Sequence, residues 1–468
     1  MEESPSKTSA AAAAVDSLHR STEFRPFSLS PSPHMLAFHL AWLSLFSCFF
    51  STFSVPPLLP AIRRDLHLSD ADVGAAGAAA FAGSVLSRLA MGPACDLFGP
   101  RAASAAVSLA TAPAVLSLAF VSSPAAFVAA RFLIGLSLAN FVACQFWMTS
   151  MFAGNVVGVA NAVAAGWANV GSGLTQLLMP LIYSLLATRL PSSTAWRAAF
   201  AVPAVFQAGT AILVLAFGQD LPCGKYQRIR KHDPSVNSLA TVLFGGLRNY
   251  RGWILGLTYA FCFGVELTTD NIIAEYFYKR FGVDMAAAGT IAASFGLANV
   301  VSRPAGGIAS DAMGRRFGMR GRLWSLWAVM TVAGVLCFWL GRINTLWGSI
   351  MVMCCFSFFV QAASGLTFGV VPFVSTRYLG VISGMTGSGG TIGAVFTQYL
   401  LFSGTNNMST QSGISIMGLM MIICALPITL LYFPNSGGML CGASTQIQSY
   451  DEPNDHLDQY QNLLPSTT

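Results

Sequence analysis

Charge is what this sequence has least of. Asp, Glu, Lys and Arg together make up 9% of its 468 residues, against roughly 25% in soluble globular domains. With 54% hydrophobic residues, the chain cannot hide its apolar surface inside one water-soluble core, and a bilayer must cover the rest. Metal-site and redox patterns are also missing. The ten cysteines form no C-x-x-C pair and no Cys/His cluster with metal-ligand spacing, so neither a metal nor a cofactor is expected. The six histidines lie mostly in tails and loops, without H-x-x-x-H spacing, and no nucleophile–base set or phosphate loop accompanies them. An enzyme is therefore not expected. The net charge of +6 is scattered among loops with no aromatic-interleaved basic stripe, which argues against a nucleic-acid partner. Residues 1–34 lack a short apolar core ending in a cleavage site, so no removable signal peptide is expected.

What the chain does have is long apolar runs. A membrane-spanning helix takes about 20 mainly apolar residues. Runs of that kind fall near 35–59, 71–95, 101–121, 125–151, 156–186 and 196–218, and again near 252–274, 286–309, 323–341, 346–372, 379–402 and 412–433. The expected organisation is an all-α membrane protein with a tail over 1–34, a six-helix bundle over 35–218, a polar hinge over 219–251, a second six-helix bundle over 252–433, and a tail over 434–468. Basic residues favour cytoplasmic loops. Placing both termini in the cytoplasm puts the hinge residues Lys225, Arg228, Arg230 and Lys231 and the loop residues Arg101, Arg315 and Arg316 on that side. The two polar tails are expected to be disordered.

The two bundles repeat one another. Arg88, Gly92, Asp96, Gly99 and Arg101 recur as Arg303, Gly307, Asp311, Gly314 and Arg316, each displaced by 215 residues. Asn169-Val-Gly171 with Thr175-Gln176 recurs as Thr391-Ile-Gly393 with Thr397-Gln398, displaced by 222. Matches at nearly equal displacement indicate parallel halves related by an axis along the membrane normal. The G-x-x-x-D-x-x-G-x-R loop resembles the signature of the major facilitator superfamily, which implies the major facilitator fold with twelve transmembrane helices in two pseudo-symmetric six-helix halves. Asp96, Arg101, Asp311 and Arg316 are read as a gate latch, the plain alternative being a solvated turn.

With the arginines at the span ends assigned to loops, only the arginines Arg88, Arg131 and Arg303 remain inside the spans. An arginine at mid-membrane costs at least about 2.5–3.5 kcal/mol, so it needs a partner or a watery cavity. Arg88 and Arg303 each precede the gate aspartate by eight residues, about 12 Å of helix, which sets both near mid-bilayer. Two permanent cations with planar donor forks suit a small, planar, oxygen-rich anion. The alternative is that each pairs with a carboxylate such as Glu266 or Asp270 and only holds helices together. Arg131 has no twin and reads as structural or as part of an outer gate. Glu266 and Asp270 are four residues apart, hence on one helix face, and are the candidate proton carriers. The glycine-rich fifth and eleventh spans permit close helix approach and expose backbone to a small ligand, the alternative being packing alone.

Those glycine runs, Gly166-Trp-Ala-Asn-Val-Gly-Ser-Gly173 and Gly387-Ser-Gly-Gly-Thr-Ile-Gly393, resemble the two nitrate signatures of the nitrate/nitrite porters. Phe-His-Leu-Ala-Trp at 38–42, Ser-Arg-Leu-Ala-Met-Gly at 87–92, Gly-Val-Glu-Leu-Thr-Thr-Asp-Asn at 264–271 and Gly-Met-Arg-Gly-Arg-Leu-Trp at 318–324 are similar to plant high-affinity nitrate transporters. The likeness covers about residues 25–440. It implies proton-coupled nitrate uptake by alternating access, with Arg88 and Arg303 clamping the anion. Tyr259, Asn169, Gly166, Gly171, Gly389, Gly390 and Thr391 are then the other substrate-site candidates. It also implies nitrate, with nitrite as a second candidate, and protons as partners, and it brings in a single-span accessory subunit used by many plant members. Thr391 where the signature has Asn, Ala168 where it has Gly, Phe146 for a usual Tyr and the short tail are departures. Thr391 and the short tail resemble a divergent plant subgroup, part of which is associated with the vacuolar membrane, so plasma and vacuolar membranes both stand as locations. A nitrate/nitrite exchanger, another small-anion carrier and a nitrate sensor remain the competing functions.

Overall fold

Helix boundaries in this chain follow its turn chemistry. A computed structural model describes residues 15–16, 19–30, 32–222, 224, 239–283, 285–375, 377–402 and 408–442. The hinge cations Lys225, Arg228, Arg230 and Lys231, and the ends of both tails, lie outside the described residues. The first half comprises α1 (His34–Thr52), α2 (Asp70–Phe98), α3 (Pro100–Ser117), α4 (Pro124–Met151), α5 (Val157–Ala187) and α6 (Ser192–Phe217). Ser69 and Asp72 close a reciprocal capping box at the start of α2. Proline at the first position opens α3 and α4, where no backbone donor is needed. Between α2 and α3 the chain reverses on Gly99 at φ 85°, a conformation that side chains disfavour.

The second half comprises α7 (Tyr250–Ala260 and Phe263–Phe281), α8 (Met285–Leu297 continued by 299–317), α9 (319–340), α10 (Leu346–Val370), α11 (Leu379–Phe402) and α12 (Thr410–Ala425). Gly318, at φ 62° and ψ −151°, breaks the helix between α8 and α9, and the chain folds back so that Arg322 reaches Ser310. Among the described residues, ten helical segments are long and apolar enough to cross a membrane. One of these, Thr290–Leu340, contains the Gly318 break and supplies two helices. α7 carries Glu266 and Asp270 and is not among those ten; counted with them, the described helices are consistent with the twelve expected.

The halves meet along two seams, α2 against α11 and α5 against α8. Both are lined by glycine. A Cβ on Gly384 would lie 2.9 Å from the Arg88 carbonyl oxygen, and one on Gly166 2.7 Å from the Asn299 carbonyl oxygen. A Cβ on Gly307 would meet the Ala162 Cβ and the Gly158 oxygen at 2.5 Å each. Such backbone approach is how helices associate in lipid, where apolar burial gives no drive. Both repeat displacements persist in three dimensions, since Gly92 and Gly307 pack on Gly380 and Gly158 respectively.

Part of the stretch expected as an N-terminal tail has defined contacts. Segment 19–30 crosses the end of the first half nearest the α2–α3 turn. Its Ser21 amide donates to the Met151 carbonyl (3.0 Å), and Ala153 donates back to Ser21 (2.9 Å). Phe24 sets its ring edge-on to Phe38 and Phe152, at centroid distances of 5.0 and 5.3 Å.

Candidate functional site

Two buried arginines face each other across the junction of the halves. Arg88 of α2 and Arg303 of α8 are 0% and 1% exposed. Their guanidinium carbons lie 5.5 and 5.2 Å from the centre of one ring, Phe263 at the restart of α7. Arg88 also lies 5.0 Å from Phe141 of α4. Tyr259 stacks on Phe263 at 5.0 Å, and Phe368 of α10 sets its edge against Tyr259 and Phe141. The result is a flat-walled aromatic box with a cation on either flank. Such faces attract cations through the ring quadrupole while excluding water.

The two arginines have different partners. Arg88 donates Nη1–H to the Gly387 carbonyl of α11 (2.7 Å) and Nε–H to the Leu138 carbonyl of α4 (3.2 Å). Among the described residues, its buried Nη2 has no acceptor, and neither has the buried Tyr259 hydroxyl. Arg303 donates Nη2–H to Glu266 Oε2 (2.8 Å) and Nε–H to Asn299 Oδ1 (3.1 Å). Glu266 also accepts from Asn299 Nδ2 (2.8 Å) and from the Ser364 hydroxyl of α10 (3.3 Å). Of the two readings of the arginines, carboxylate pairing therefore describes Arg303 in this conformation. Arg88 is held by carbonyls alone and keeps a free donor. A buried donor left unsatisfied is costly, and a water, an ion or another polar group can meet that need.

The remaining candidates distribute as follows. Gly390 packs against the rings of Tyr259 and Phe263, and Gly166 against the backbone of Asn299 and the Arg303 Cβ, so both shape the site directly. Gly389 lies against Gly256 of α7, and Gly171 against Phe46 and Phe49 of α1; each is a helix-packing contact. Asn169 and Thr391 are buried and bond carbonyls of their own helices, Ala165 and Ser388. Asp270 lies one turn beyond Glu266 and near Gly296 of α8. Arg131 donates to the Thr52 carbonyl at the end of α1 (2.7 Å).

At one face of the protein the aspartates of the repeated loop reach across the seams. Asp96 accepts from the backbone N–H groups of Gly380 and Val381, at 2.9 and 3.0 Å, at the start of α11. Asp311 accepts from Gly158 and Val159, at 3.1 and 2.6 Å, at the start of α5. Each carboxylate satisfies orphan donors and the positive end of a helix in the opposite half. Arg101 stays within its own half, donating to the Leu215 carbonyl (2.6 Å) and, from its backbone, to Asp220 (3.1 Å). Arg316 is exposed beside Phe317. The arginine that does pair with Asp311 is Arg322 (2.7 Å), which also donates to the carbonyls of Gly369 and Gly154.

Sequence reasoning passed over Asn299, Ser364, Phe141, Phe263, Phe368 and Arg322. Asn299 had a usable signal, because it stands four residues before Arg303 and so on the same helix face. Phe263, four residues after Tyr259 and three before Glu266, and the pair Ser364 and Phe368, four apart on α10, had spacing too, whereas Phe141 of α4 and Arg322 of α9 are related to the site by no spacing along the chain.

Residues 41–372 match the profile of the Major Facilitator Superfamily. The chain is 61% identical to High affinity nitrate transporter 2.7 of Arabidopsis thaliana, over 93% of this chain and 91% of that protein. It is 56% identical to High-affinity nitrate transporter 2.3 of Oryza sativa subsp. japonica, over 92% and 83% respectively. Among solved structures, the fucose:proton symporter of E. coli superposes with a TM-score of 0.65 at 14% identity, covering 84% of this chain and 98% of that one.

Proposed function

Because the chain belongs to the Major Facilitator Superfamily, and within it to the plant high-affinity nitrate transporters, we propose that it carries nitrate across a membrane by proton-coupled symport, the anion held between Arg88 and Arg303. The observation that carries the coupling is the buried Glu266–Arg303 pair (2.8 Å) opposite the uncommitted Nη2 of Arg88. Two guanidiniums and one carboxylate leave a single net positive charge, the charge one nitrate neutralises. While Glu266 is ionised it competes with nitrate for the Arg303 fork. A proton on Glu266 removes that competitor and frees a planar bidentate donor for a planar oxyanion. Proton and anion therefore favour each other's binding, as linkage requires of a symporter.

The membrane potential makes the proton necessary. A monovalent anion entering a negative-inside compartment works against about 2.3 kcal/mol per 100 mV. One proton per nitrate cancels the charge, and a second lets the potential drive uptake. Arginine cannot carry either proton. Glu266 is the first carrier, and Asp270, one turn along α7, is the second. The Asp96–α11 and Asp311–α5 contacts form the gate on the cytoplasmic side, closed in this conformation. Their release opens the site inward in alternating access.

The test is nitrate-evoked current and labelled nitrate uptake in a heterologous cell at external pH 5.5 and 7.5. Inward current with each nitrate, larger at pH 5.5, is the expected result. Arg88→Lys and Arg303→Lys keep the charge but lose the fork, and each should raise the nitrate KM at least tenfold. Wild-type KM in both variants would end the clamp reading. Nitrate-for-nitrite exchange without current would replace symport by exchange.

A further inference from the structure

Among the described residues, Asn299 is the one side chain bonded to both members of the Glu266–Arg303 pair. It is 2% exposed and stands one helical turn before Arg303 on α8, where the helix restarts after Ala298. Its Oδ1 accepts from Arg303 Nε at 3.1 Å, and its Nδ2 donates to Glu266 Oε1 at 2.8 Å and to the Gly296 carbonyl at 3.3 Å. The partners dictate this orientation of the amide. Flipped, it would turn its NH2 group on the guanidinium N–H and its oxygen on a carboxylate, two repulsive contacts in place of two bonds.

We infer that Asn299 is the positioning residue that keeps Arg303 aimed while the arginine changes partner from Glu266 to the anion. This rests on the reading of Arg303 as an anion ligand. The guanidinium has two edges available here. Its Nη2 is given to Glu266, and that bond weakens when the carboxylate is protonated. Its Nε is given to a neutral amide oxygen, which takes up no proton itself when Glu266 does and can go on accepting from the guanidinium. With Nε tethered, the plane of the guanidinium stays fixed, and the Nη groups meet a small planar oxyanion without a search over rotamers. Such pre-organisation lowers the ordering cost of binding. The Asn299 backbone is held in turn by Gly166 of α5, so the tether is anchored at the seam along which the halves must move.

The groups facing Glu266 are Asp270, Cys262 and Tyr259 on its own helix and Arg303 on α8; α10 presents only the Ser364 hydroxyl, and Arg88 lies across the Phe263 ring. An added acid at position 299 would act on both members of the pair, since the present amide lies 3.1 Å from Arg303 Nε and 2.8 Å from Glu266 Oε1. Two variants of the full chain are compared by nitrate uptake per surface copy at pH 5.5 and 7.5. Asn299→Ala frees Arg303 to swing fully onto Glu266. Its nitrate KM should rise at least tenfold, with maximal rate falling much less. Asn299→Asp is nearly isosteric and places a second carboxylate on the arginine. Its KM should rise at pH 7.5 and recover at least fivefold at pH 5.5.

A role in packing alone predicts lower surface abundance or maximal rate with wild-type KM, and that outcome overturns the inference. If Asn299→Ala does not reach the membrane, Asn299→Asp decides alone: a KM ratio between the two pH values equal to wild type refutes the tether. Arg303→Gln is run beside both. Wild-type KM in Arg303→Gln would refute the underlying anion site, whereas a large effect there with none at Asn299 refutes only the positioning role.

Discussion

Replacing Asp311 by Asn should open the face that Asp311 and Asp96 hold shut. The carboxylate accepts two backbone N–H groups of α5 and faces Arg322 at 2.7 Å, with its side chain 2% exposed. An amide keeps one oxygen for one of those donors. The second N–H loses its acceptor, and the bond that survives changes from charge-assisted to neutral. A hydrogen bond to a charged group contributes about 1.5–3 kcal/mol and a neutral one about 0.5–1.5. Arg322 loses its carboxylate but retains Ser310, Gly369 and Gly154 as acceptors, which limits the penalty of stranding a buried cation. In the open state Asp311 is hydrated and the substitution is nearly neutral. The closed state should therefore lose about 2–4 kcal/mol relative to the open one, a shift of roughly 30- to 700-fold in the equilibrium. Spin labels at Phe98→Cys and Arg320→Cys, exposed positions on the two halves, read the separation by pulsed dipolar spectroscopy. A longer distance should dominate in Asp311→Asn. Adding Arg322→Met should leave the long distance in place while recovering thermal stability. An unchanged distance distribution in Asp311→Asn would refute the assignment of this contact as a latch.

Glu266→Gln keeps the shape of the carboxyl but cannot exchange a proton, and it should flatten the dependence of nitrate uptake on external pH to the part that Asp270 supplies; an unchanged pH profile in uptake assays would move the first proton site elsewhere. Gly307→Ala sets a methyl against the Ala162 Cβ and the Gly158 oxygen, each at 2.5 Å, and should separate α5 from α8. The expected loss is about 1–3 kcal/mol, seen as a lower thermal midpoint in detergent, with maximal rate falling more than affinity. Phe24→Ala removes two edge-on ring contacts from segment 19–30 and should cost about 1–2 kcal/mol, since the ring is half-buried. The same thermal assay, together with faster proteolysis before His34, checks it.

Much of this arrangement could be read along the chain because it rests on regular spacing. The apolar runs mark the helices, and the 215-residue displacement pairs Arg88 with Arg303 and Asp96 with Asp311 before any coordinate is seen. The partners of those residues are another matter. That Asp311 meets Gly158 across a seam, and that Arg322 joins it, depends on which helices become neighbours. Gly318 turns α9 back onto α8, and without that reversal Arg322 reads as one more loop cation. The same holds for the aromatic box, which draws Phe141, Phe263 and Phe368 from three helices. The repeat also conceals the main asymmetry. It presents the arginines as equals, whereas one is bound to Glu266 and the other to backbone carbonyls.

The glycine seams have a mechanical consequence. In most helix bundles interlocked side chains act as teeth, and one helix passes another only in steps, as rotamers change. Where Gly92 lies on Gly380 and Gly307 on Gly158, backbone comes against backbone and few side chains interlock. If the halves move as proposed, such seams would serve as something closer to a plain bearing, with the aspartate contacts as a catch at one end. Under the alternating access proposed above, glycine would set the path along which the halves travel, and two carboxylates would set when they leave.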